Sequence, residues 1–148
     1  IKCGDDDCKI CPLCKKLYGN GPLPVVEVLV VNEFNEILLL KQNYISKTKW
    51  TVVSGYITNG ETIEDTVTRE VKEETGQNVI SCKYISSYYF APKQLIMIGF
   101  IAYVKKSQFS NSVEVDDIKW YKMHEVDSVI AREDNCSGMH WDKCRDLL

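Results

Sequence analysis

The feature that most constrains the fold of this chain is a helix-forming segment between Thr62 and Gly76, whose apolar stripe is interrupted by carboxylates. Thr62 followed by Asp65 predicts a capping box at the helix start, and Gly76 is a typical residue just past a helix end. At 3.6 residues per turn, one face carries an apolar stripe. Its members are Ile63, Val67 and Val71.

Three glutamates lie in or beside this stripe. Glu74 falls inside it, Glu70 lies next to it one turn earlier, and Glu73 borders the same side. An unpaired buried carboxylate is destabilising, and Arg69 can neutralise one neighbour but not three. A divalent cation such as Mg²⁺ prefers oxygen ligands and would compensate the negative charge. The alternative is a solvated acidic face in which Glu70 and Glu74 pair with Lys or Arg.

Two glycines precede the helix. Gly55 ends a predicted strand and Gly60 comes just before the helix cap, so the loop can turn tightly and bring its backbone close to a ligand. A strand, a glycine loop and an acidic helix in this order are typical of sites for metal-bound phosphates. The loop is not a Walker loop, because no Gly-Lys-Ser/Thr follows it.

The remaining chain alternates strand patterns with turns and ends on a helical pattern. Apolar, β-branched and aromatic runs predict strands, and the last segment predicts a C-terminal helix. The strands are expected at 25–31, 37–42, 50–56, 78–90, 95–106 and 117–123, and the helix at 139–148. The order β, β, β, α, β, β, β, α predicts an α/β (α+β) fold with a mixed sheet covered by helices.

Length, charge and cysteine usage limit the class of protein. The 148 residues suffice for one domain, and the net charge of −3 argues against bulk electrostatic binding of nucleic acid or of an anionic membrane. The N-terminal residues do not have the layout of a signal peptide, and no apolar run of the sequence approaches membrane-spanning length. Seven cysteines, four of them within the first fourteen residues, favour metal binding in a reducing compartment such as the cytoplasm.

The helix and its loop resemble the Nudix box. In that family, Gly is followed after five positions by Glu and after seven more by Arg-Glu-apolar-any-Glu-Glu-any-Gly-apolar. Here the matching residues are Gly55, Glu61, Arg69, Glu70, Val71, Glu73, Glu74 and Gly76. Two positions depart from the usual pattern: Gln77 replaces an apolar residue, and Thr58 stands where many members carry an acidic one. The resemblance implies a Nudix-type α-β-α sandwich over residues 25–148.

The same resemblance implies an enzyme that hydrolyses a diphosphate linked to another group, with Mg²⁺ or Mn²⁺. Its implied metal-binding residues are Glu70, Glu74 and Glu73, with contributions from Gly55 and Glu61. Its implied catalytic residues are Glu73, Glu70, Glu114 and Arg69, in which Arg69 orients a glutamate of the box. The base is either a box glutamate or Glu114 from a later loop, and the other interpretation of Glu114 is a solvated loop charge.

The N-terminal segment 1–18 is Cys-rich and resembles a zinc ribbon, and residues 19–24 form a linker. Its Cys11–Cys14 knuckle, followed by Tyr18 and an apolar strand, is similar to the ribbon junction of NADH pyrophosphatases. The implied zinc ligands are Cys3, Cys8, Cys11 and Cys14. Three other interpretations of this segment remain open. The first knuckle of the ribbon could lie upstream of residue 1, the cysteine spacing could be that of an iron–sulfur site, or the segment could be a remnant with free thiols.

The sequence limits the choice of substrate less than it limits the type of reaction. The 87–93 segment does not keep the signature of NADH pyrophosphatases, so NADH/NAD, ADP-ribose and nucleotide sugars are all candidates. Tyr88 and Phe90 are candidate base-stacking residues, although strand aromatics also fill cores. The alternatives are a mutator-type nucleoside triphosphate pyrophosphohydrolase and a non-catalytic nucleotide sensor. The resemblance further implies that two copies pair through their Nudix domains.

Overall fold

The computed structural model describes residues 8–19, 21–110, 112–133 and 135–148. The strands are β1 Cys8–Ile10, β2 Leu17–Gly19, β3 Leu23–Val31, β4 Ile37–Lys41, β5 Val53–Tyr56, β6 Val79–Phe90, β7 Leu95–Val104 and β8 Asp117–Tyr121. The helices are α1 Ile63–Thr75, α2 Val126–Val129 and α3 Ser137–Cys144. The last helix begins at Ser137, before the predicted 139, and α2 was not predicted from the sequence.

The strands form two sheets. β1 and β2 make a small antiparallel hairpin of their own. The main sheet has six strands in the order β6-β7-β3-β4-β8, and β5 pairs with β3 outside that path. Because β3 and β7 run parallel while the other pairs are antiparallel, the predicted mixed sheet is confirmed.

Helices cover both faces of the main sheet. On one face, Val67 and Val71 of α1 pack in a cluster with Val26 and Val28 of β3. On the other face, Trp141 of α3 packs in a cluster with buried side chains that include Leu29 and Val31 of β3. The alternation of side chains along a strand sends these two sets to opposite faces. The α-β-α sandwich is therefore confirmed.

The ends of α1 are as predicted. The Thr62 hydroxyl accepts a hydrogen bond from the Asp65 backbone at 3.1 Å, and the Asp65 carboxylate accepts one from the Thr62 backbone at 3.1 Å. Gly76 has φ 79°, and a Cβ added to it would lie 2.7 Å from the backbone nitrogen of Ser110. Both the positive φ and this close approach require glycine at the helix end.

Gln77 has a structural role that explains its departure from the apolar residue of the box. Its side chain is fully buried. The amide nitrogen donates to the carbonyl oxygens of Ser107 and Gln108 at 3.1 and 3.2 Å, and the amide oxygen accepts from the backbone and hydroxyl of Ser107 at 3.0 and 3.1 Å. Gln77 therefore fastens the loop after β7 to the end of α1.

Gln77→Leu is expected to lower the free energy of unfolding by about 1–3 kcal/mol, because it leaves polar backbone groups without their partners. Urea denaturation would measure this change. Gln108→Leu is the matched control, since the Gln108 side chain is exposed. Equal stabilities of the two variants would show that the buried amide does not hold the loop.

Within the described residues, no helix has both the length and the apolar composition needed to span a bilayer.

Candidate active site

Arg69 connects the loop before α1 to the acidic face of the helix. Its guanidinium donates to both carboxylate oxygens of Glu61 at 2.7 and 2.9 Å, to Glu70 at 2.7 Å and to Glu73 at 3.2 Å. It also donates to the carbonyl oxygen of Tyr56 at 3.1 Å. Charge-assisted hydrogen bonds of this kind fix geometry as well as charge. One side chain thus orients three carboxylates and the end of β5.

Glu61 is a fixed anion at the junction of the loop and the helix. Hydrogen bonds lower the pKa of Glu61 to about 2, and the bond from Arg69 has a larger effect than the bond from Thr58. Thr58, which replaces the acidic residue of many boxes, donates to Glu61 through both its hydroxyl and its backbone. Glu61 is therefore ionised across the physiological range and holds the loop between β5 and α1.

Glu70 lies directly against Gly55. A Cβ added to Gly55 would lie 2.0 Å from the carboxyl carbon of Glu70, so any other residue at this position would displace that carboxylate. Burial raises the pKa of Glu70, and the hydrogen bond from Arg69 opposes the shift. Glycine at position 55 is thus explained by the close approach of Glu70.

Glu74 is a buried carboxylate whose oxygens are only partly supplied with hydrogen-bond partners among the described residues. Burial raises its pKa to about 8, the negative charges of Glu70 and Glu114 add to the rise, and a backbone hydrogen bond from Ser54 opposes it. Among the described residues, the Oε2 atom of Glu74 has no hydrogen-bond partner. A buried oxygen in this state requires a further partner, such as an ion or an ordered water.

Glu114 reaches the same cavity from the loop before β8. The carboxylate of Asp116 accepts a hydrogen bond from the Asn43 backbone at 2.7 Å, and the Asp116 backbone donates to Lys41 at 2.8 Å, so this loop is fastened to the end of β4. The charge of Glu114 contributes to the raised pKa values of Glu70 and Glu74. Two distant segments of the sequence therefore direct carboxylates into one space.

That space is a cavity of about 1110 Å³, at the upper end of the usual size of small-molecule sites. Of the predicted site residues, the structure places in its wall Gly55, Arg69, Glu70, Phe90, Glu74 and Glu114. Glu61 and Glu73 are not part of the wall, and the side chain of Glu73 is 57% exposed. The arrangement is an acidic, partly buried cleft bordered by one arginine.

The donor set fits a hard divalent cation. Carboxylate oxygens are the ligands that Mg²⁺ and Mn²⁺ prefer, and Glu74 offers an oxygen with no other partner in the described residues. Within the part of the chain that the structure describes, no three His, Cys, Asp or Glu side chains already surround one point. In this conformation the carboxylate of Glu70 is directed to Arg69.

The comparison with protein families decides the classification. The NUDIX domain model matches residues 21–138, which is most of the chain. The chain belongs to the Nudix family.

Curated relatives and solved structures agree with this assignment. The NAD-capped RNA hydrolase NudC of Vibrio parahaemolyticus is 32% identical over 120 residues, covering 80% of this chain and 46% of the relative. The mouse mitochondrial NAD(P)H pyrophosphatase NUDT13 is 30% identical over 129 residues, covering 84% of this chain and 36% of the relative. This chain thus spans less than half the length of these relatives.

The fold is also seen in a solved Nudix structure. The NUDIX domain of Shewanella oneidensis NrtR, complexed with ADP ribose, superposes with a TM-score of 0.72. The match covers 86% of this chain and 89% of that one at 17% identity, which shows the fold alone.

The two aromatic residues predicted to stack on a base have different surroundings in this Nudix chain. Tyr88 is buried and its hydroxyl hydrogen-bonds to Nδ1 of His140 at 2.9 Å, whereas Phe90 lines the cavity. Tyr89, between them, is 60% exposed, as strand alternation predicts. Substrate contact by Tyr88 and Phe90 stays a prediction, and the structure favours Phe90.

Glu27 was not predicted from the sequence. It lies in β3, is 2% exposed and contributes to the cavity wall. The signal was present in the sequence, because Glu27 is the single charged residue in an otherwise apolar strand, Val25–Val31. A charged residue inside a strand buried on both faces requires a reason.

The Cys11–Cys14 knuckle forms the turn between β1 and β2. The Cys11 backbone donates to Lys16 at 2.9 Å, and Lys15 donates back to Cys11 at 3.0 Å. Backbone hydrogen bonds from Cys14 and Leu13 lower the pKa of the Cys11 thiol, which favours the thiolate that binds metal. Cys3 and the side chain of Cys8 lie outside the described residues, so the four-cysteine zinc site stays a prediction.

Proposed function

We propose that this chain is a Nudix hydrolase that cleaves the pyrophosphate bond of a nucleoside diphosphate linked to another moiety, of the NADH/NAD, ADP-ribose or nucleotide-sugar type, with Mg²⁺ or Mn²⁺. The observation that carries the proposal is the convergence of Glu70, Glu74 and Glu114 on one cavity, where one oxygen of Glu74 has no partner among the residues that the structure describes. NAD-type substrates are favoured, because the names of the relatives describe hydrolases of NAD-capped RNA and of NAD(P)H.

The side chains of this site would have different roles in the reaction. Glu70 and Glu74, with the backbone of Gly55, would hold the cation. When bound, a divalent cation supplies positive charge that offsets the charge developing on the diphosphate. Arg69 keeps Glu70 oriented and stays protonated, since its carboxylate partners raise its pKa further. Glu114 lines the cavity and Glu73 does not, which favours Glu114 over Glu73 as the base that accepts a proton from water.

A substrate panel tests this proposal. We expect the protein to hydrolyse the members of this panel at different rates in the presence of Mg²⁺, and mass spectrometry would identify the products. The panel consists of NAD⁺, NADH, ADP-ribose, a nucleotide sugar and nucleoside triphosphates. Two mononucleotide products from a dinucleotide would support the proposal. Release of pyrophosphate from triphosphates alone would favour the mutator-type enzyme, and binding without turnover would favour a nucleotide sensor.

The N-terminal segment is proposed to be a separate module. Residues 1–18 would form the zinc-binding part and 25–148 the Nudix domain, in which two copies would pair. The proposed linker, 19–24, includes the last residue of β2 and the first two of β3. Purification without chelator followed by elemental analysis is expected to find one zinc ion per chain, and protein without zinc would contradict the four-cysteine site. The described cysteines are free thiols, which supports a reducing location such as the cytoplasm.

A further inference from the structure

Glu27 is a buried carboxyl group that the proposed chemistry does not use. Among the described residues, its Oε2 atom has no hydrogen-bond partner. Burial raises the pKa of Glu27 to about 8, and no cation within the described part of the chain lowers it. A carboxyl group in this state destabilises the fold, and replacement by an apolar residue of similar volume would remove that cost. Its presence therefore points to a ligand.

Glu27 lies on the face of the sheet opposite to the α1 glutamates. It alternates with Val26 and Val28, which face α1, and shares its side with Val25 and Leu29. The same cavity nevertheless reaches Glu27 and the pair Glu70 and Glu74. The cavity therefore joins the acidic cleft to a second compartment on the α3 side of the sheet.

Two polar groups near Glu27, the Tyr88 hydroxyl and the His140 imidazole, are hydrogen-bonded to each other. Gly99 is its register partner on β7, and a Cβ on Gly99 would lie 2.6 Å from the imidazole of His140. That imidazole bonds to the Tyr88 hydroxyl at 2.9 Å and to the Phe100 carbonyl at 2.8 Å. Burial lowers the pKa of His140 to about 4, so the ring is neutral and supplies no counter-charge.

The wall around Glu27 suits a flat, largely apolar group. It includes the side chains of Val25, Phe90, Leu95, Met97 and Cys136. The thiol of Cys136 is neutral, because burial raises its pKa to about 11. Ser137 contributes a hydroxyl oxygen that accepts a hydrogen bond from the Val52 backbone at 3.2 Å. A largely apolar wall and a carboxyl oxygen that has no partner among the described residues match an aromatic heterocycle with an N–H group on its edge.

We infer that Glu27 is a specificity-determining residue that accepts a hydrogen bond from an N–H group on a heteroaromatic ring of the substrate. The inference rests on the proposed function, which supplies a dinucleotide-type substrate. The donor is the 6-amino group of adenine or the carboxamide of nicotinamide. Each also carries an acceptor beside the N–H, so a protonated Glu27 forms two hydrogen bonds with it, consistent with its raised pKa.

Equilibrium binding of three dinucleotides tests the assignment. NAD⁺ is compared with nicotinamide hypoxanthine dinucleotide, which lacks the 6-amino group, and with nicotinic acid adenine dinucleotide, which lacks the carboxamide. The protein is the full chain, with Ca²⁺ in place of Mg²⁺. The variants are Glu27→Leu, which has no acceptor, and Glu27→Gln, which keeps one carbonyl oxygen. Glu64→Gln makes the same chemical change on the exposed side of α1 and serves as the control.

We expect the wild type and Glu64→Gln to bind NAD⁺ about tenfold to a hundredfold more tightly than one of the two analogues, and the disfavoured analogue identifies which group is read. Glu27→Leu should lose this discrimination and have a higher Tm, while Glu27→Gln should keep part of it. Equal binding of all three dinucleotides by the wild type, absence of binding, or unchanged discrimination in Glu27→Leu would overturn the inference. Discrimination without hydrolysis in Mg²⁺ would instead overturn the proposed enzymatic function alone.

Discussion

Glu74→Gln is expected to lower kcat/KM of Mg²⁺-dependent hydrolysis by at least about a hundredfold, because it removes a charged oxygen that the cation requires. The amide has almost the same volume as the carboxylate, so the packing of α1 against β5 should persist. The substitution also removes a buried ionisable group, since burial raises the pKa of Glu74 to about 8. Activity should therefore fall while the unfolding temperature of the metal-free protein stays the same or rises.

Steady-state kinetics and thermal unfolding of the same preparations measure the two effects. Glu64→Gln is the matched control, since Glu64 is exposed near the start of the same helix. It should retain activity close to that of the wild type. Normal hydrolysis by Glu74→Gln would show that Glu74 does not hold the cation, and an unfolded variant would be recognised by its circular dichroism spectrum.

The metal-free protein is expected to lose stability as the pH rises from about 4.5 to about 8. Burial raises the pKa of both Glu27 and Glu74 from 4.5 to about 8. Between these values the folded chain keeps protons that the unfolded chain releases, so each rise in pH favours unfolding. Below pH 4.5 both states are protonated at these groups, and above pH 8 both are ionised, so the slope from them vanishes. The loss from each group is on the order of a few kcal/mol.

Urea denaturation at pH 5, 6.5 and 8 in EDTA would measure this slope. Glu27→Leu and Glu74→Gln should each flatten it, and Glu64→Gln should not change it. Adding Mg²⁺ should restore stability at pH 8 in the wild type and in Glu27→Leu but not in Glu74→Gln, because a cation stabilises the charged form only at the acidic cleft. A flat profile in the wild type would show that these carboxyl groups are solvated.

The sequence by itself determined the local structure around the box. The α1 helix, its capping box and its Gly76 end follow from residues within one turn of each other, and strand alternation placed Tyr88 and Tyr89 on different sides. Such patterns depend on short-range geometry, namely the 3.6-residue and two-residue periods. The mixed sheet followed from the order of the elements, although helix α2 was missed because a single helical turn gives no periodic signal.

Tertiary structure alone decided which side chains share the cavity. Glu114 and Glu74 are forty positions apart in the chain, and their meeting depends on the loop that Asp116 fastens to β4. Likewise, Glu27 gains its place from the pairing of β3 with β5 and β7. A sequence specifies the direction of a side chain within its own element, whereas the partners of that side chain depend on how the elements pack. For this reason the acidic helix could be predicted from the sequence, whereas the compartment at Glu27 could not.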